Sequence, residues 1–248
     1  MGARITTLFQ TPGNGIIDMS LPGSDALLQQ AGAGAKPLGT FTAQRSRFPL
    51  GVVVLVSSSG GAVAAGALSQ SIGDAAAKSV NTPVAFSATS TRALQRDVDT
   101  ILGQANRLDP DSILSIKRLG FTIGAPNGDL LPYTGDFDVY RALLHQLYVS
   151  FSIGTLPVLR PVQMRGWTDA DNPQVAAAIG GTAVTQTTQE WSVGEAETGP
   201  LDALIFPDDQ ITCRVSNPLD ITGLAASSYY PIRAYAHGVR YERAGGVG

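Results

Sequence analysis

Two histidines, one cysteine and four Asp-x-Asp pairs are the residues of this 248-residue chain best suited to chemistry. His145 and His237 stand far apart in sequence, and a catalytic triad would need one of them beside a Ser and an acid. The chain has no G-x-S-x-G elbow, no H-E-x-x-H and no Cys–His signature. The pairs are Asp97/Asp99, Asp109/Asp111, Asp136/Asp138 and Asp169/Asp171. On an extended strand such spacing puts both carboxylates on one side, where they can share a hard cation such as Ca²⁺. None sits in a full calcium-loop pattern. Asp109-Pro110-Asp111, Asp169-Ala170-Asp171-Asn172-Pro173 and Asp208-Asp209 have the composition of turns, in which Asp bonds nearby backbone. Gly124-Ala125-Pro126-Asn127-Gly128 and Gly180-Gly181 lack the Lys-Ser/Thr ending of a phosphate loop. The residues therefore imply no cofactor, no metal, no small-molecule substrate and no enzyme.

Other side chains fit contact rather than catalysis. Arg160, Arg165, Arg214, Arg233, Arg240 and Arg243 are spread over the C-terminal half. Gathered on one face they would meet a neighbour's carboxylates or a polyanion; scattered, they are solvated strand faces. The aromatics Trp167, Trp191, Tyr229, Tyr230, Tyr235 and Tyr241 read either as a sugar-binding surface or as sheet core with interface anchors. The residues expected at an interface are Phe48, Val52, Val54, Trp167, Trp191, Tyr230, Tyr235 and Tyr241.

The elements that must position these residues are mostly strands. Residues 1–50 are rich in Gly, Pro, Ala and Thr and predict an extended N-terminal arm, with a short helix capped by Ser24 and stopped by Gly32 and Gly34. Residues 51–56 form a β-branched run, as in a strand buried on both faces. Residues 61–79 read as a small-residue helix. Leu94, Val98, Ile101 and Leu102 fall at helical spacing within 91–107, an extended segment being the alternative. From Pro110 the pattern turns to short strands, at 113–123, 147–153, 157–164, 182–193, 201–206, 210–216 and 230–241, with a short crossing helix at 136–144. In the last strand Ile232, Ala234, Ala236 and Gly238 share one face, and Arg233, Tyr235, His237 and Val239 the other. Regular βα alternation is missing. The fold expected is mainly β: an antiparallel, jelly-roll-like sandwich over 51–248 with one or two inserted helices, behind the arm over 1–50.

Composition narrows the class. Lys and Arg number 17 against 20 Asp and Glu, a net charge of −3, and charged residues are 15% of the chain, against about 25% in ordinary domains. This excludes disorder and a globally basic nucleic-acid binder. One Cys excludes a disulfide scaffold; Cys213 reads as a small strand residue. The N-terminal Met1-Gly2-Ala3-Arg4-Ile5-Thr6 fits a loose myristoylation pattern that arises often by chance. Residues 48–73 carry no charge, but Ser57-Ser58-Ser59-Gly60-Gly61 in their middle is poor bilayer material. The stretch is expected to be buried against the body, a neighbour or a membrane.

The segment Pro207-Asp208-Asp209-Gln210-Ile211-Thr212-Cys213-Arg214-Val215-Ser216-Asn217-Pro218, followed by a loop and Tyr230-Pro231-Ile232-Arg233-Ala234-Tyr235-Ala236-His237-Gly238-Val239-Arg240-Tyr241, resembles the closing strands of bacteriophage coat and capsid-associated proteins. There a strand, Asn-Pro, loop and strand ending in G-x-R-Y recur. The resemblance implies a virion structural protein with a viral jelly roll. Its expected partners are copies of itself and other virion proteins, with contact to an internal membrane through 48–73 and no specific nucleic-acid recognition. A receptor- or glycan-binding β-sandwich module is the alternative, and an enzyme using Asp pairs a third reading.

Overall fold

The computed structural model describes residues 3–72, 83–85, 91–124, 143, 146–164, 195–197 and 201–244. Among them the protein is mainly β, built on two principal antiparallel sheets. The larger sheet joins β1 (Arg4–Gln10), β2 (Ile16–Asp18), β3 (Lys36–Val56), β7 (Ser112–Ile123), β10 (Glu195–Glu197) and β13 (Tyr229–Arg243) in the order β10-β7-β13-β3-β1-β2. A further strand, β11 (Ala203–Ile205), pairs with β7. The smaller sheet runs β4 (Ser69–Ser71), β12 (Ile211–Ser216), β8 (Tyr148–Ile153), β9 (Leu156–Gln163). A separate ribbon pairs β5 (Pro83–Ala85) with β6 (Thr91–Ala93).

Strict alternation makes the sandwich. Val149 and Phe151 on β8, and Ile211, Cys213 and Val215 on β12, point inward between polar neighbours. They meet Phe48, Leu50, Val53, Leu55, Leu114, Ile116, Leu119, Phe121, Tyr230, Ile232, Ala234 and Ala236 of the larger sheet in one core. Pro157 and Pro161 stand on β9, the edge of the smaller sheet, where a missing N–H costs no ladder bond.

The larger sheet outgrows the sandwich. Phe41 and Ala43 belong to a second cluster with Leu8, Ile113 and Tyr241. Because Ile113 and Leu114 are adjacent in one strand, the two clusters lie on opposite faces. Two bulges keep long β13 in step with its neighbours, one beside Leu50 on β3 and one beside Lys117 on β7. At the second bulge a Cβ on Gly238 would lie 1.8 Å from the Ser115 carbonyl oxygen, so only glycine fits there.

Several expectations change. Residues 1–50 do not form an arm separate from the body: β1 and the first half of β3 are strands of the main sheet, and β3 runs through the expected boundary at 50/51. The reason is cross-strand pairing, which lets a segment poor in large apolar residues borrow a core; Leu8 is fully buried. The helix in this region exists as α1 (Ser24–Ala31), ended at Gly32. Ser24 does not cap it by side chain; its hydroxyl donates to the Asp18 and Leu21 carbonyls instead.

Residues 91–107 form no α-helix. Asp97, Ala105 and Asn106 have positive φ, which breaks helical geometry. Thr100 Oγ1 and Ile101 N instead donate to the Leu50 and Pro49 carbonyls at the β3 bulge. Val98, expected on an apolar face, is exposed. Residues 61–68 form a loop, joined to Ile221 through Val63, rather than the start of a helix. Ser69–Ser71 of that expected helix are strand β4, paired with β12; residues 73–79, the strand at 182–193 and nearly all of the crossing helix at 136–144 lie outside the described residues.

Within 48–73, the absence of charge goes with interior packing: Leu50, Val52, Val53 and Ile72 are buried. Among the described residues no helix is long and apolar enough to cross a membrane.

Candidate functional site

Three arrangements on the larger sheet have polar chemistry. The first is a clamp around Asp18. Its carboxylate accepts from Thr6 Oγ1 at 2.5 Å, Ser20 N at 2.9 Å, Ser20 Oγ at 2.5 Å, Arg4 at 2.8 Å and Tyr241 Oη at 3.2 Å. Burial pushes the Asp18 pKa up, but the bonds from Ser20 and Thr6 and the Arg4 charge outweigh it and hold the carboxyl below its ordinary value. Burial, and then the neighbouring Asp18 charge, push the Tyr241 hydroxyl well above its ordinary value. All these donors converge on one acceptor, so the clamp is a satisfied structural site that fastens β1 and β2 to β13.

The second is an open face. Where the larger sheet projects past the sandwich, alternation turns Thr40, Thr42, Gln44 and Ser46 of β3 to the side that carries the core farther along. Ile5 pairs with Thr42 and Thr7 with Thr40. Ile5 is 73% exposed, and Thr7, Thr40, Gln44 and Ser46 are exposed as well. The β1 and β3 side chains of this face are uncharged and mostly hydroxyl-bearing.

The third is a basic row on the reverse face. His237 pairs with Arg47 on one side and with Arg118 on the other. Arg45 lies opposite Val239 in the next row, and Arg233 opposite Thr122 on the far side of Tyr235. The Arg47 guanidinium stacks on the Tyr235 ring, 3.9 Å from its centre.

Of the residues expected at an interface, Phe48, Val52, Val54, Tyr230 and Tyr241 are interior. Phe48 and Tyr230 are sandwich core, and Tyr241 belongs to the second cluster. All five lie on β3 and β13, the centre of the larger sheet, where large apolar and aromatic side chains are taken up by packing within the fold. Tyr235 is half-exposed. Trp167 and Trp191 lie outside the described residues, as do His145 and the pairs Asp136/Asp138 and Asp169/Asp171.

The two remaining aspartate pairs are not brought together on shared cation sites. Asp99 is buried against Arg92 and accepts from Gln95 N, whereas Asp97 is exposed. Asp109 pairs with Arg96 and Arg240, and its carbonyl closes a turn to Ser112 N. Asp209 closes the turn after β11 by accepting from Phe206 N at 2.8 Å. Among the described residues no three His, Cys, Asp or Glu side chains gather as a metal site. Burial pushes the Cys213 thiol up to about 12.

Comparison with known proteins finds no matching family model, no matching curated protein and no matching solved structure. The basic row and the open face were not apparent from spacing. Arg45, Arg47 and Arg118 lie on strands distant in sequence from His237, and only strand register joins them.

Proposed function

We propose that the protein is a virion structural subunit, a jelly-roll-related shell protein that assembles with copies of itself and with other virion proteins. The observation that carries this reading is the open face of the projecting sheet. On β1 and β3 this face bears a 73% exposed Ile5 among uncharged, largely hydroxyl-bearing side chains, and the charges that β13 turns to the same side, Arg240 and Glu242, are already paired with each other, so covering it has a small desolvation cost. It continues from a sandwich whose other half is fully packed, so the projection presents a rigid, preformed contact surface. The low overall charge, 15% of residues, agrees with a surface meant to be covered.

Purified protein examined by light scattering and negative-stain microscopy is expected to form closed particles or defined oligomers. Ile5→Asp, which alters only an exposed side chain, is expected to shift that distribution to monomer without lowering the melting temperature. A wild-type monomer at micromolar concentration, with no particles under the microscope, overturns the reading.

A further inference from the structure

We propose that the N-terminal unit of β1, β2 and α1 exchanges between two copies of this chain, so that β1 of each copy pairs with β3 of the other. This rests on the shell reading and deepens it by naming how copies hold one another, but its test does not require particles.

The unit is closed on itself. Of the donors to Asp18, those of Thr6, Ser20 and Arg4 belong to the unit, and Tyr241 is the one from the rest of the chain. The Thr11–Gly15 turn, the bond from Met19 N to the Thr7 carbonyl and the bond from Ser24 Oγ to the Asp18 carbonyl are internal as well. Helix α1 packs mainly against β2, and of its side chains only Ser24 is buried.

The attachment to the rest of the chain is small and preformed. Besides the β1–β3 ladder and the Tyr241 bond, Leu8 acts as a plug. It enters a cluster whose other buried members, Phe41, Ala43, Ile113 and Tyr241, come from β3, β7 and β13. β13 pairs with β3 from Phe41 to Val56 and with β7 on its other side, so these strands hold the receiving site without β1. The cluster is separate from the sandwich core, and the unit can leave without opening that core.

A glycine pivot joins the unit to β3. The connection is Gly32-Ala33-Gly34-Ala35, and Gly32 has φ 57° and ψ −146°, a conformation essentially confined to glycine. Exchange replaces each contact of the unit by the identical contact in the other copy, so its cost is confined to the pivot and to association. Exposed apolar surface favours the pair. Ile5, Leu21 and Leu27, three of the large apolar side chains exposed among the described residues, all lie on this unit. In an exchanged pair the unit lies beside both bodies, where such side chains lose contact with water.

The test is a mixed disulfide between full-length chains. Thr7 faces Thr40 across the β1–β3 ladder. The Thr7 carbonyl is turned to Met19, away from β3. Thr7 and Thr40 are therefore a non-hydrogen-bonded pair, with Cα atoms about 4.5 Å apart, within the span of a disulfide. Chains carrying Thr7→Cys and chains carrying Thr40→Cys are unfolded together in urea, refolded at high concentration and mildly oxidised. A covalent dimer joining the two introduced thiols is expected on a non-reducing gel, in excess over what either variant forms alone. The double variant, oxidised in dilute solution, is expected to close within one chain. Mixing Thr7→Cys with Arg160→Cys, exposed on β9 of the other sheet, is expected to give no excess.

A mixture of Thr7→Cys and Thr40→Cys that yields no excess of dimer overturns the inference, as does an equal excess with Arg160→Cys. Particles that form without the mixed disulfide overturn exchange and leave the shell reading standing. Mixed disulfide dimers that grow no further do the reverse.

Discussion

Tyr241, in the last strand, donates a hydrogen bond of 3.2 Å to the carboxylate of Asp18, 223 positions earlier in the chain. The contact is buried, and it shares its acceptor with Thr6, Ser20 and Arg4. One carboxylate thus ties together β1, β2, the turn after β2 and β13. The N-terminal hairpin is held by this point as much as by the small cluster around Leu8.

Replacing that acceptor is expected to be costly. Asp18→Asn removes the charge that attracts Arg4 and makes one of the two carboxylate oxygens a donor facing other donors. Hydrogen bonds to a charged group are worth about 1.5–3 kcal/mol, so urea unfolding should show a loss of about 3 kcal/mol. A loss below about 0.5 kcal/mol would show that the clamp contributes nothing beyond packing.

The same carboxyl sets an acid limit. Its folded pKa lies below its ordinary value, so in acid the unfolded chain binds more protons than the folded one. The contribution is complete above the unfolded carboxyl value, about 3.9. It is lost as pH falls through the lower folded value. Urea midpoints measured downward from pH 5 should fall more steeply for wild type than for Asp18→Asn. Parallel curves would mean that Asp18 does not control this window.

Asn217 closes the long loop between β3 and β4. It is fully buried; its Oδ1 accepts from Leu68 N at 2.8 Å, and its Nδ2 donates to the Ala64 and Leu219 carbonyls at 2.8 and 3.1 Å. Asn217→Ala leaves a buried N–H and two carbonyls short of partners, at about 1–3 kcal/mol for each unsatisfied group. The expected result is a loss of at least about 3 kcal/mol in thermal unfolding, with faster exchange of the Leu68 amide. An unchanged Leu68 exchange rate would refute the assignment.

Cys213 should be chemically silent in the folded protein. Its thiol is buried between the sheets and pushed up to about 12, so thiolate is scarce at neutral pH. Ellman's reagent is expected to react only at the rate of unfolding and completely in denaturant. Rapid labelling of the native chain would show that the sandwich opens locally at β12.

The β grammar was legible because it is local. Alternation in 147–153 and 210–216 marked the inward sides of two strands of the smaller sheet, and the two faces of 230–241 were assigned correctly from Ile232 to Val239. The turn role of Asp209 also followed from residue type, since its side chain accepts from the Phe206 backbone N–H; Asp109 closes its turn by its backbone carbonyl, and its side chain goes to Arg96 and Arg240 instead. The segment 91–107 misled because Leu94, Ile101 and Leu102 are buried at helical spacing by coincidence of a folded loop, not by a helix.

Sequence alone thus determined a charge-poor, mainly antiparallel β protein, though not the length of its central strands: β3 runs 21 residues and β13 15. Period-two burial and turn chemistry are written in neighbouring residues. Tertiary structure decided that the N-terminal fifty residues join the main sheet, that Asp18 receives Tyr241, and that Arg47, His237 and Arg118 stand in one row. Each of these depends on strand register between distant segments, and a shift of one residue would turn the same side chains to the opposite face.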